Sequence, residues 1–190
     1  MSAAREKVVF SHHLEMLIKV LGRPPRPEHV EGLLALGVNV HQLEPTYPRE
    51  QYNQVIEYII ARLWPERSRE EKLFELGRAL AGTFHRTTIG RAVMRWLHSL
   101  GYGPSWTIRH AYNLYGVAGG FTQEQLSLRG PGHYELWFAQ LEQPDLFRGV
   151  LTEALGQEDR LDLRVSVLSR DAGSRVTLRI TWTEPAKPTG

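Results

Sequence analysis

The chain has no cysteine and only three methionines. Without cysteine there is no disulfide, no thiol nucleophile and no thiolate metal site, and a reducing compartment is the natural setting. Long apolar runs are also missing. No stretch approaches the roughly 20 apolar residues of a membrane-spanning helix, so insertion into a membrane is not expected. Met1–Lys7 lacks the apolar centre of a secretory signal, and a cytoplasmic location is expected. Nor does one sign of charge dominate. The 23 Lys and Arg residues face 21 Asp and Glu, for a formal net charge of +2. The sequence pI of about 9.0 is therefore a weak pointer to nucleic acid.

Catalytic signatures are absent as well. There is no HExxH metal motif and no Gly-x-Ser-x-Gly elbow. Gly116-Val117-Ala118-Gly119-Gly120 lacks the Lys-Ser/Thr end and the preceding strand of a phosphate loop. The chain is read as non-enzymatic.

What is present is a clear alternation of elements. Phe121–Arg129 alternates imperfectly and stops at Gly130-Pro131-Gly132. His133–Leu141 follows, rich in aromatics that favour a pleated surface. Gln143-Pro144-Asp145 opens a helix carrying Leu146, Phe147, Val150, Leu151, Ala154 and Leu155 on one face, with Gly156 at its C-terminal cap. Leu161–Val167 and Val176–Trp182 alternate as two further strands around the turn Asp171-Ala172-Gly173. Strand, strand, helix, strand, strand makes an antiparallel sheet with a helix on one face. The last strand, Val176–Trp182, is expected at an edge, where it could pair with another chain.

The first half reads as helices. Ser11 is the expected N-cap of a helix with Leu14, Leu17, Ile18 and Leu21 on one side. Pro27 begins a short helix closed by Gly37. A long helix runs from Pro48 to Trp64, and Ser68-Arg69-Glu70-Glu71 is a capping box for the next. A further helix spans about Thr88–Leu100 with Ile89, Val93, Trp96, Leu97 and Leu100 inward. Ser105 caps a last short helix. The expected architecture is α+β: an N-terminal helical layer followed by an antiparallel ββαββ unit. It forms one domain over 1–190, mainly helical over 1–116, sheet with one helix over 117–184, and a frayed tail at 185–190.

Several motifs together resemble a family of paralogous proteins of unknown function restricted to the Myxococcales. They are Val9-Phe10-Ser11, Glu44-Pro45-Thr46-Tyr47-Pro48, Leu76-Gly77-Arg78, Thr87-Thr88-Ile89-Gly90-Arg91-Ala92, Tyr134-Glu135-Leu136-Trp137 and Ile180-Thr181-Trp182. The resemblance spans nearly the whole chain and implies a bacterial, cytosolic, regulatory setting. More distantly, helices followed by ββαββ resemble haem-nitric-oxide-binding domains and vinyl-reductase-type domains, which bind a ligand between helices and sheet. That resemblance implies a helical proximal histidine, for which His98 and His110 lie in the right region. It also implies a Tyr-x-Ser-x-Arg clamp for the haem propionates. The comparable strand here reads Tyr134-Glu135-Leu136-Trp137-Phe138, with Leu and Phe in the Ser and Arg places. No cofactor is expected on this reading, and haem is not expected.

Three constellations are candidates for function. Trp106, Arg109, His110, Tyr112, Tyr115, Trp137 and Phe138 cluster around the helix–sheet joint. They could line an apolar ligand pocket with a few polar groups, or fill an ordinary aromatic core. Arg86, Thr87, Thr88, Arg91 and Arg95 surround a helix start, where an anion could bind; a solvated face paired with Glu70, Glu71 or Glu75 is the plainer alternative. His12-His13-x-Glu15 invites a metal, but neighbours on a helix point about 100° apart and cannot easily share an ion.

The leading expectation is a regulatory or signalling domain that binds a small molecule or a partner protein. A self-assembling scaffold, and so a homo-oligomer, is the second reading. The third is a weak nucleic-acid or anion binder through Arg86, Arg91 and Arg95, against which the balanced charge weighs.

Overall fold

A computed structural model describes residues 8–99, 105–108, 110, 123–156, 161–172 and 174–183. β1 (Val8–Phe10) pairs antiparallel with β2 (Thr46–Pro48). This small ladder fixes the start of α1 (Ser11–Val20). Phe10, not Ser11, occupies the N-cap: Ser11 is already the first helical residue, and its N–H donates to the Pro45 carbonyl at 3.0 Å. α1 turns Leu14, Leu17 and Ile18 inward. α2 (Pro27–Ala35) starts on Pro27, whose missing N–H costs nothing in a first turn. Pro48 ends β2 and caps α3 (Arg49–Leu63), whose stripe of Tyr52, Val55, Ile56, Ile59 and Ile60 is buried as the periodicity predicts.

α4 (Arg69–Arg86) begins on a true capping box. The Ser68 hydroxyl accepts from the Glu71 N–H, and the Glu71 carboxylate accepts from the Ser68 N–H at 3.0 Å. α5 (Thr88–Ser99) follows after a single residue. The Thr87 hydroxyl donates to the Phe84 carbonyl at 2.7 Å and accepts from the Gly90 N–H at 2.8 Å, closing one helix and opening the next. Trp96, expected inward, is 60% exposed. It shares the outer face of α5 with exposed Ala92, Arg95 and Ser99, and the helical period leaves it no route to the core. The side chains of Ile89 and Leu97, and the whole of Leu100, lie outside the described residues.

The sheet contains β3 (Glu124–Gly130), β4 (His133–Phe138), β5 (Leu161–Arg170) and β6 (Val176–Thr183). All pairings are antiparallel, in the order β3-β4-β6-β5. The last strand is therefore interior, which corrects the expectation that Val176–Trp182 forms an edge. Both its ladders are occupied, by β4 and by β5, because the connection through α6 (Pro144–Leu155) carries β5 to the far side. The edges are β3 and β5, each showing an exposed leucine, Leu128 and Leu168.

The inner face of the sheet is apolar and closed. Leu136 pairs with Leu178 and Phe138 with Val176, and all four are buried. α6 lies against them, with Phe138 edge-on to Phe147 at 5.3 Å and 88°. Its opposite side meets α4 at a very close crossing. A Cβ on Gly77 would overlap the Leu146 carbonyl, and one on Gly149 would overlap the Phe74 carbonyl. α4, α6 and the sheet thus form three layers around one continuous core. The α+β architecture read from the sequence is the observed one. No helix among the described residues is long and apolar enough to cross a membrane.

Candidate functional site

The aromatic group at the helix–sheet joint is only partly assembled as the sequence suggested. Trp106 and His110 lie on a short helical segment beginning at Ser105, while Arg109, Tyr112 and Tyr115 lie outside the described residues, as does the side chain of His98. The Trp106 and His110 rings stack at 4.2 Å and 13°. The His110 Nδ1 sits 2.8 Å from the Trp106 carbonyl oxygen. A carbonyl can only accept, so Nδ1 carries the proton and the Nε2 lone pair is left for another partner. Nε2 has none among the described residues.

Trp137 and Phe138 do not share a wall. They are neighbours on a strand, so Phe138 points into the core while half-buried Trp137 points to the other face. The residue that joins the helical segment to the sheet is Tyr134. Its hydroxyl accepts from the Ser105 hydroxyl at 3.1 Å, and its ring stacks on Trp182 at 5.1 Å and 13°. The signal for Trp182 was present in the register: Tyr134 pairs with Ile180, and Trp182 is the next residue on that face.

The basic group is dispersed. Arg86 is the last residue of α4, and its Nη2 donates to the Thr83 hydroxyl at 3.3 Å. Thr87 commits its hydroxyl to the corner already described. Thr88, Arg91 and Arg95 are exposed along α5, with Arg95 Nε donating to the Arg91 carbonyl at 3.4 Å. Their suggested carboxylate partners look elsewhere: Glu75 pairs with Arg67 and Arg78, and Glu71 with its cap.

His12 and His13 place their rings 3.8 Å apart, but Glu15 pairs with Lys19. No group of three His, Cys, Asp or Glu residues that could hold a metal occurs among the described residues. Burial, then the neighbouring His12 and the Arg49 guanidinium, lower the His13 pKa from 6.5 to about 4. Arg49 is itself held by Glu142 at 3.2 Å and lies over the Tyr52 ring, whose hydroxyl burial pushes up to about 12. The chain positions of His13, Arg49 and Glu142 are too far apart for sequence reading to join them. Burial also lowers the His85 pKa, with Glu153 opposing.

With this geometry in view, comparison with solved structures identifies the fold. The chain shares its fold with H-NOX domains. One neighbour is an oxygen-binding H-NOX domain related to soluble guanylate cyclases, at 15% identity and TM-score 0.63, covering 95% of this chain and 97% of that one. A second comes from work on the molecular mechanism of H-NOX activation, at 15% identity and TM-score 0.64, covering 92% and 96%. A third comes from work on heme distortion in the H-NOX family, at 16% identity and TM-score 0.64, covering 94% and 97%.

The chain belongs to the DUF2378 family, described as a protein of unknown function, whose profile matches residues 7–183. No curated protein matches it in sequence. The expectation that no cofactor goes with this architecture, haem included, is corrected by these neighbours. It rested on Leu136 and Phe138 in the clamp positions and on the lack of a motif around His98 and His110, whereas the whole fold is shared with domains studied for haem distortion.

Proposed function

We propose that this chain is a regulatory domain that binds a small molecule beside the helical segment of Trp106 and His110, with haem the leading ligand and His110 the residue that would hold it. The observation that carries this reading is the state of His110. It is half-buried, stacked on Trp106, proton-fixed at Nδ1 by a backbone carbonyl, and unpartnered at Nε2 among the described residues. Metal-binding histidines are held this way, with the far ring nitrogen tied to a carbonyl so that the near one presents its lone pair.

His110, with its proton fixed at Nδ1, fits as the residue that would hold a haem iron. No propionate clamp is supplied on β4, where Leu136 and Phe138 are fully buried against α6 and Tyr134 is engaged with Ser105 and Trp182. The propionates of a bound haem would therefore find their cations elsewhere. When bound, haem supplies an iron centre that can take a diatomic gas. The chain's part is to hold that group through His110, with Trp106 and Tyr134 bracing the segment that carries it.

Titrating the purified protein with haem, read at the Soret band, tests this. A saturable Soret shift is expected, lost in His110→Gly and restored by added imidazole. An unchanged spectrum in His110→Gly would remove the axial role, and no binding by the unaltered chain would remove haem. Native mass spectrometry of the protein as purified would then show whether another small molecule occupies it.

A further inference from the structure

We infer that a second site, separate from the helix–sheet joint, binds a small phosphate-bearing anion between the end of α1 and the last turn of α4. A cleft of about 240 Å³ opens there, lined by Lys19, Arg23, Thr83 and Arg86. Of the basic residues that stood out in the sequence, only Arg86 belongs to it. Lys19, Arg23 and Thr83 come from segments that the fold alone brings together.

The charge in this cleft is only partly compensated. Lys19 is paired with Glu15 one turn back on its own helix. Arg23 and Arg86 have no carboxylate partner among the described residues. Other arginines of α4 are paired: Arg69 with Glu57, and Arg78 with Glu75 and Glu153. Glu153 of α6 lies near Gly82, as does the Arg86 guanidinium, and Arg78 already engages this carboxylate. The lining thus carries three cations and no carboxylate, and the neighbouring Glu15 and Glu153 are already engaged by Lys19 and Arg78.

A plainer role accounts for part of this. Lys19 and Arg86 sit in the last turns of α1 and α4, where a cation offsets the helix dipole. Arg23 lies beyond its helix, past Gly22 at a φ of +118°, and the dipole of α1 does not explain its convergence on the other two. Thr83 adds a buried hydroxyl, 6% exposed, that accepts from the Arg86 guanidinium and orients it. Two guanidiniums and an ammonium match the oxygens of a compact dianion, which arginine binds through paired N–H donors. The volume lies below the about 300 Å³ at which pockets for larger ligands begin, so the occupant is a phosphoryl group with a small body.

The test uses the full chain at low ionic strength. Inorganic phosphate and glycerol 2-phosphate are compared with sodium chloride at matched ionic strength, by calorimetry and by thermal unfolding. The expected result is saturable binding with a rise in Tm that chloride does not reproduce. Arg23→Ala and Arg86→Ala should each weaken it at least tenfold, and Arg95→Ala, on exposed α5, should leave it unchanged. Tighter binding of glycerol 2-phosphate would identify a monoester ligand, and tighter binding of inorganic phosphate the free ion. Equal effects of phosphate and chloride would overturn the site. So would an Arg95→Ala loss as large as that of Arg23→Ala, since diffuse surface charge would then explain both. Haem binding is read independently at the Soret band, so failure here leaves the His110 proposal standing, and the reverse.

Discussion

Tyr134 and Trp182 lie ring on ring, 5.1 Å apart at 13°, at the point where Ser105 hydrogen-bonds the tyrosine hydroxyl. The pair ties the helical segment of His110 to two interior strands. Tyr134→Phe removes only the hydrogen bond and should cost about 1 kcal/mol in urea unfolding. Trp182→Ala empties a nearly buried site and should cost about 3–5 kcal/mol. A double-mutant cycle of Tyr134→Ala with Trp182→Ala should yield a coupling of about 0.5–1.5 kcal/mol for the stack. Additive losses would mean the rings are neighbours without interaction.

The crossing of α4 and α6 makes a sharper prediction. Gly77→Ala and Gly149→Ala each drive a methyl into backbone of the facing helix, which cannot rotate away. Each should destabilise by about 3 kcal/mol. Gly82, on the same helix as Gly77, is the control, because its nearest obstacle is a Glu153 side-chain oxygen at 3.6 Å. Gly82→Ala should be neutral or stabilise by up to about 1 kcal/mol, as the helix interior gains a better helix former. Equal effects at all three positions would contradict the close crossing.

Acid should weaken the fold through His13. Its folded pKa, about 4, lies below the unfolded value of 6.5, so the folded state resists the proton. Between those values the unfolded chain binds more protons, and stability falls as pH falls; above 6.5 the contribution is complete. Discounted for solvent screening of a partly exposed ring, the loss is about 1–2 kcal/mol across that window. His85 acts in the same direction. Unfolding free energies at about pH 7 and about pH 4.5, on either side of most of that window, should converge in His13→Gln relative to the unaltered chain. An unchanged difference would assign the acid sensitivity to other groups.

The strand order predicts how the sheet tolerates change. Arg179→Pro, in the middle of β6, meets ladders on both sides and should abolish the cooperative transition seen by circular dichroism. Leu128→Lys on edge strand β3 should stay within about 0.5 kcal/mol of the original. If the protein self-associates by adding strands to the four-stranded sheet, it uses β3 or β5, so Leu128→Lys or Leu168→Lys should disperse the oligomer in sedimentation. Persistence of the oligomer in both variants would exclude pairing at the edges of this sheet.

The parts of the fold that were legible in the sequence are those encoded locally. The capping box at Ser68 and Glu71, the stripe of α3 and the alternation of Val176–Trp182 are written within a few residues, and each appears in the structure. The position of β6 inside the sheet was not legible, because alternation gives a strand its faces but says nothing about its neighbours. Trp96 was misplaced because a large aromatic was taken as inward, while the polar residues sharing its face decide otherwise. Of the joint residues, Trp106 and His110 stood out as an aromatic cluster, but the proton held at Nδ1 depends on a carbonyl that sequence cannot aim. The cleft of Lys19, Arg23, Thr83 and Arg86 was invisible, since its members adjoin only after α1 packs against α4.

The glycine crossing also bears on how a signal could travel. Where side chains meet, a push is absorbed by rotamers; where two backbones meet, there is nothing to rearrange. A shift of α6 against the sheet must therefore carry α4 with it as a rigid rod. One end of that rod is tied to α3 through Arg69 and Glu57, and the other holds Thr83 and Arg86. The two ends of α4 are thus anchor and pointer, with Gly77 between them as the place where force enters.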